Sequence, residues 1–445
     1  MVSLLPETCR RINELAHAAQ SAGRVPSLVA AVVRDRTLVH FTGAGEHPRP
    51  DPRTQYRIGS ITKTMTAAMV MQLRDEGWFA LDDLLYRHLP GTPVGGVTLR
   101  QLLGHVAGLQ REPDGDWWER APGVGEDEFL AGLAFDKLAH PPYHTYHYSN
   151  LAYGLLGAVL RRVTGEEWHA LLHKRLLDPL GMKRTSYQPV EPYARGYVVH
   201  PWHGTLREEP RHDAGAMAPA GQLWSTAADL VKWAGFLADP TPTVLARGTM
   251  DEMCAPVVIS DLESWTAGHG LGLELWRCGE RVYVGHAGSM PGYQAVVAVH
   301  RPSRTGVVAF ANAYTLHGER LDAFGRRLLT EVLDREPVRA PAWWPAQTPP
   351  AEIAPLCGRW WWMGREYGAS WRPDSGELVV TPLTVPELPW RFAPDGTDRW
   401  RGLSGANDGE VLLVRRDAGG RVVALDVATT VLTRSPTDPL PAPLP

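Results

Sequence analysis

Three short groups of residues carry side chains that could do chemistry together. The first is Ser60 with Lys63, inside "RIGSITKTMTAAM" (57–69). Lys63 is the only charged residue between Arg57 and Arg74, in a run dominated by Ile, Met, Ala, Val and Leu. That pattern predicts a helix buried nearly all round. Burying an ammonium is costly, so a lysine there needs a purpose. Three residues apart, Ser60 and Lys63 share one helix face. If burial lowers the lysine pKa from about 10.4 by roughly three units, about 4 kcal/mol, its amine can take the serine proton. Gly59 suits a tight turn into a helix start, where backbone N–H groups can hold an oxyanion. A buried serine beside a lysine that reaches the surface would look the same.

The second group is Tyr148-Ser149-Asn150, ahead of an apolar helix. A phenol relays protons, and a carboxamide both donates to and accepts from a substrate amide. A packed tyrosine followed by an Asn cap is the plainer account. The third group is His286-Ala287-Gly288-Ser289, at a strand end before a Gly/Pro turn. Small residues there let a substrate backbone approach the strand edge, and His286 would supply a positive or donor group. A turn histidine on an edge strand is again the alternative.

The elements that must position these groups come from both ends of residues 1–336. "SLVAAVVRDRTLVHFTG" reads as two strands joined at Asp35-Arg36, and the Ser60 helix ends near Gly77. A largely helical region follows to about residue 240 and includes "ADLVKWAGFLA". Beyond about 265, "HGLGLELW", "RVYVGHAG", "YQAVVAVH" and "TGVVAFANA" read as short strands, closed by a helix over Glu319–Leu333. The expected class is therefore α/β, with an antiparallel sheet and a helical part. Residues 337–352 are Pro-rich and read as a linker. Residues 353–445 are all β in texture, with turn signals such as Asp395-Gly396 and Asn407-Asp408-Gly409, which suggests an antiparallel meander or small barrel. The tail after Arg434 is Pro-rich and reads as irregular.

Composition excludes more than it selects. The chain has 445 residues, 44% apolar and 21% charged, which is ordinary for a globular protein. A net charge of -4 gives no reason to expect nucleic acid or a membrane surface as partner. No run of about eighteen apolar residues suggests a membrane span. The first residues read as an amphipathic helix rather than a secretion signal, and four cysteines without a CxxC pair read as buried thiols, so a cytoplasmic location is expected. There is no GxSxG, no HExxH and no phosphate-binding glycine loop. His140, His144 and His147 have helical spacing, but Pro141-Pro142 breaks any helix there. No metal or cofactor is expected.

Taken together, SxxK, YxN and HxG in that order, roughly 85 and then 140 residues apart, resemble the serine β-lactamase and penicillin-binding-protein family. "LLGHVAGL" (102–109) and "PAGQLWSTAADLVKW" (219–233) extend the resemblance over about residues 5–335. The C-terminal region is similar to lipocalin-like barrels appended to some members. The resemblance implies that Ser60 is acylated and that Lys63 holds its proton balance. Tyr148 would act as base toward Ser60 and then as acid toward the leaving group. Asn150 would orient Lys63 and the substrate amide. The backbone N–H groups of Ser60 and Ser289 would form the oxyanion hole. His286 stands where many members carry a lysine, and a titratable histidine suits a substrate carboxylate less well. Gly288 would let substrate approach. Trp117, Trp118, Trp202 and Trp224 would line a peptide groove or pack in the core. Arg434 would bind a substrate carboxylate or carbonyl, or remain a surface arginine.

Among members, the chain looks most like the stand-alone thioesterases that release nonribosomal peptides. The expected function is therefore macrolactamisation of a peptidyl thioester loaded onto Ser60, with a carrier protein as possible donor. The alternative is hydrolysis of D-residue-containing peptides, amides or esters. A third possibility is a non-catalytic homologue that uses the β region as a ligand cup.

Overall fold

A computed structural model describes residues 3–46, 49–314, 316–336 and 348–437. Residues 337–347 of the expected linker, and 438–445 of the tail, lie outside the described residues. The chain divides into two units, 1–338 and 339–445.

The first unit is built on one antiparallel sheet of eight strands. In chain order these are β1 (Ser27–Arg34), β2 (Thr37–Gly45), β3 (Val258–Ile259), β4 (Ala267–His269), β5 (Glu274–Cys278), β6 (Arg281–Met290), β7 (Tyr293–His300) and β8 (Thr305–Ala311). They lie side by side as β2-β1-β8-β7-β6-β5-β4-β3. The hairpin at Asp35-Arg36 forms as expected, with both residues at positive φ (46° and 64°), the backbone sense that matches strand twist. In β1, Val29, Ala31 and Val33 pack into one core, while Leu28, Ala30 and Val32 pack into the other. Both faces are covered, so the strand reads as an unbroken apolar run rather than an alternation.

One face carries α1 (Pro6–Gly23) and a C-terminal helix, Leu321–Arg335. That last helix starts two residues later than expected, because Arg320 takes extended backbone as its cap (φ -69°, ψ 144°). The other face carries the helical region. There α2 (Ile61–Asp75), α3 (Asn150–Thr164) and α4 (Ala227–Ala238) share the larger core. Every residue of α2 from Ile61 to Leu73 is buried. Alternation along β6 points Val284, His286, Gly288 and Met290 to this helical side, while Tyr283 joins the opposite core. The H-x-G spacing thus puts histidine and glycine on the face that carries α2.

The second unit is a closed eight-stranded antiparallel barrel from Gly358–Trp362 to Thr430–Thr433, shut by pairing of Trp361 with Thr433. Its interior is filled by side chains, Trp360, Tyr367, Phe392, Leu412 and Leu425 among them. These side chains form the apolar core of the unit.

Candidate active site

Ser60 sits at the N-terminal end of α2, yet its side chain makes no capping bond. Its Oγ is therefore left to Lys63, whose Nζ lies 3.0 Å away. Nζ also donates to the Ala220 carbonyl oxygen at 2.7 Å. Lys63 has no exposed surface, and burial brings its pKa down to about 7, against the pull of the Glu119 and Glu112 carboxylates. A neutral amine within hydrogen-bond reach of the serine hydroxyl is the arrangement that activates a weak nucleophile.

Tyr148 completes this group. It lines the same cavity as Ser60, and its ring centre lies 5.0 Å from Lys63 Nζ. Burial raises the phenol well above its ordinary value. The resting phenol therefore keeps its proton and is placed to relay one. The group able to accept the first proton is the Lys63 amine, which differs from the expected order with Tyr148 as base. The physical reason is that a neutral amine offers no cation to stabilise a phenolate.

In Tyr148-Ser149-Asn150 the helix cap is Ser149, whose Oγ accepts from Ala152 N at 3.1 Å. Asn150 is thereby released from capping. Its Nδ2 donates to both oxygens of Glu112, at 2.8 and 3.0 Å, and its buried Oδ1 has no partner. Asn150 does not orient Lys63, as the resemblance implied; the Ala220 carbonyl does. Glu112 is further held by Trp118 Nε1 at 2.8 Å and Arg111 Nε at 3.1 Å.

His286 also departs from expectation. It is 1% exposed, and its Nδ1 faces the Ala287 carbonyl oxygen at 2.5 Å. Only a protonated Nδ1 can bond there, so Nε2 is a bare acceptor, and it has no partner. Burial, with His269 and Lys63 nearby, holds the ring well below its ordinary pKa. The ring is neutral and supplies no positive charge. Gly288 is needed for space, since a Cβ there would lie 1.9 Å from the Ile58 carbonyl oxygen. Gly59 has φ +51°, and a Cβ on it would lie 2.6 Å from Ser289 N. The backbone at Gly59, just before Ser60, therefore adjoins that of Ser289.

Ser60, Tyr148, Asn150, His286, Gly288 and Ser289 line one cavity of about 490 Å³. Trp117 lines it too, in edge contact with Tyr314 (ring centres 6.5 Å apart). Two expected substrate contacts fall elsewhere. Trp224 is 1% exposed and packs between Tyr193 and Tyr293 in the core, because its strand Trp224–Ser225 pairs with Tyr56–Arg57 beneath the helices. Arg434 lies over the Trp360 ring at 3.6 Å and donates to the carbonyls of Pro355, Cys357 and Arg359. Its guanidinium is committed to the barrel unit. Trp118 is buried against Glu112, and Trp202 is exposed on a hairpin.

Sequence reasoning missed four side chains. Glu112, Glu119 and Glu274 line the cavity. Glu274 was visible as the one carboxylate in the apolar strand "GLGLELW". The fourth is His105 of "LLGHVAGL". Its carbonyl accepts from His147 N at 2.9 Å and its Nδ1 from Ser149 N at 3.1 Å. Its ring lies 4.4 Å from that of Tyr148. His105 thus holds the backbone on both sides of the phenol.

A serine and a desolvated lysine on a buried helix, beneath an antiparallel sheet, define the serine hydrolase and acyltransferase class. The chain belongs to the beta-lactamase family, whose model matches residues 12–331. Residues 349–434 match a second model, described as a domain of unknown function (DUF7586). The chain is similar to Beta-lactamase-like protein 2 of Dictyostelium discoideum, 30% identical over 326 residues, covering 68% of this chain and 59% of that one. It is similar to the D-alanyl-D-alanine-carboxypeptidase/endopeptidase AmpH of Escherichia coli (strain K12), 31% identical over 203 residues, covering 43% of this chain and 51% of that one. The chain thus spans little more than half the length of these two relatives. Among solved structures, SurE with D-Leu aligns with a TM-score of 0.58 and 25% identity over 97% of this chain and all of that one. Among the described residues, no helix is long and apolar enough to cross a membrane.

Proposed function

We propose that the protein transfers acyl groups through an ester on Ser60, acting on peptides, amides or esters that contain a D-residue. The observation that carries this is the buried Lys63 amine, 3.0 Å from Ser60 Oγ, with a pKa brought down to about 7. Lys63 takes the hydroxyl proton as Oγ bonds to the substrate carbonyl carbon. The oxyanion forms beside the Ser60 and Ser289 N–H groups. As the bond to the leaving group breaks, Tyr148 passes its proton to it and takes the one that Lys63 holds. Water then attacks the ester carbon, giving a proton to Lys63, and the acid leaves as that proton returns to Ser60 Oγ. The D-configuration is supported by the AmpH and SurE likenesses.

A second reading replaces water by an amine of the same peptide, giving a macrolactam. The resemblance of the SxxK, YxN and HxG set and of the C-terminal β region to stand-alone thioesterases supports it. Linear peptide thioesters ending in D- or L-residues, incubated with the protein and followed by mass, separate the two. Linear acid from the D-ended substrate supports hydrolysis, and cyclic product supports macrolactamisation. Ser60→Ala should abolish both, and turnover that survives it overturns the proposal.

A further inference from the structure

Two residues that line the cavity, Asn150 and His286, each keep a buried acceptor atom without a partner. Asn150 is 3% exposed; its amide is fixed by Glu112, so its unpartnered atom is Oδ1. His286 is fixed by the Ala287 carbonyl, so its unpartnered atom is the Nε2 lone pair. Beside them, Glu119 and Glu274 carry carboxyls that form no ion pair with a lysine or arginine among the described residues. One Glu119 oxygen accepts from Trp117 Nε1 at 3.1 Å. One Glu274 oxygen accepts from Ala287 N at 3.3 Å, and the other lies 3.6 Å from His286 Nδ1. The two arginines on the cavity wall are engaged elsewhere: Arg111 with Glu112 at 3.1 Å, Arg320 with Asp322 at 3.0 Å.

A wall of this kind cannot satisfy itself. Buried acceptors need donors, and half-buried carboxylates gain from a positive charge. A substrate carboxylate would add repulsion. An ammonium offers three N–H donors and the missing charge in one group. We propose that the site takes substrates with a free amino group close to the acylated carbonyl, held by Glu119 and Glu274 together with the acceptor atoms of Asn150 and His286. This rests on Ser60 being the acylated nucleophile. The carboxyls themselves bear the mark of a missing cation. Burial and Glu112 push Glu119 up, and burial pushes Glu274 up to about 7. Where a carboxylate of this chain has an arginine, as Glu377 has Arg391, it is held down instead. A substrate ammonium would favour the charged form of Glu119 and Glu274.

The test uses pairs of D- and L-aminoacyl p-nitroanilides, each with the amine free or acetylated, and the full-length protein. A fluorophosphonate serves as a reference label for Ser60, read by intact mass. The free-amine member should be favoured in kcat/KM by about tenfold or more, chiefly through KM. Glu119→Gln or Glu274→Gln should reduce that preference at least several-fold, while a cooperative urea transition reports that each variant is folded. Equal or better use of the acetylated member overturns the inference, as does a preference unchanged in both variants. Labelling of Ser60 without reaction of any member of the pairs overturns it too. If the fluorophosphonate does not label Ser60, it is the acyl-enzyme reading that fails.

Discussion

The two units treat their buried polar groups in opposite ways. In the barrel, Arg434 covers Trp360 and gives its N–H groups to three carbonyls, and Arg391 grips Glu377 through two bonds of 2.9 and 2.6 Å. Around Ser60, burial brings the Lys63 pKa down to about 7, and His105, Asn150, His269 and His286 each keep a buried atom without a partner. Each such atom costs roughly 1–3 kcal/mol that a saturated network would not. Asn150 and His286 keep such atoms in residues that line the Ser60 cavity, whereas Arg434 and Arg391 of the barrel are paired by its own contacts.

Replacing Lys63 tests that contrast hardest. Lys63→Met should lower kcat/KM by about 10³-fold or more, while raising stability by about 1–3 kcal/mol at pH 7. The sign follows from linkage. The folded pKa of about 7 lies below the unfolded value, so between them the unfolded chain holds a proton the fold rejects. The wild type should therefore gain stability relative to the variant as pH rises from about 7 toward about 10. Denaturant titrations of both proteins across that range measure it. The same group should set an acidic limb near pH 7 in the rate of Ser60 acylation. Glu274 titrates in the same window, and Glu119, Glu112, Arg111, His286 and His105 also face or neighbour this site. The limb should therefore persist in Glu274→Gln. A destabilised Lys63→Met with normal activity would remove the contrast altogether.

His105 comes next, as a positioning residue for Tyr148. His105→Leu should reduce kcat by about 10²-fold with little change in KM. His105→Asn keeps an acceptor for Ser149 N and tolerates the positive φ of 55° found there, so it should recover much of the loss. A fall in stability with unchanged kcat, or no rescue by asparagine, would make His105 a packing residue only.

The smallest effect is expected in the barrel. Arg434→Ala should cost about 1–3 kcal/mol in unfolding, read by urea titration, because it removes the ring contact and its carbonyl bonds. Acylation of Ser60 by a small ester should continue unchanged. Loss of kcat/KM at unaltered stability would restore Arg434 as a substrate contact and blur the difference between the units.

Much of the frame was legible in the chain itself. Apolar runs such as "SLVAAVV" announced strands covered on both faces, and the apolar neighbours of Lys63 along the helix made its lone charge conspicuous. Those features depend on local periodicity and side-chain type, which sequence carries directly. The spacing SxxK is one face of one helix, and HxG is one face of one strand, so each could be read where it stood. What the tertiary structure alone decided was which atoms remain unpaired. That Ala220 offers its carbonyl to Lys63, that Glu112 takes both Asn150 N–H groups, and that Ala287 fixes the tautomer of His286 are contacts between segments or along a particular backbone path. Trp224 and Arg434 went the other way for the same reason, drawn into packing that no local pattern displays. Hydrogen bonds are short and directional, so the charge of Lys63 and the acceptor character of the cavity wall exist only once the chain has brought these partners within reach.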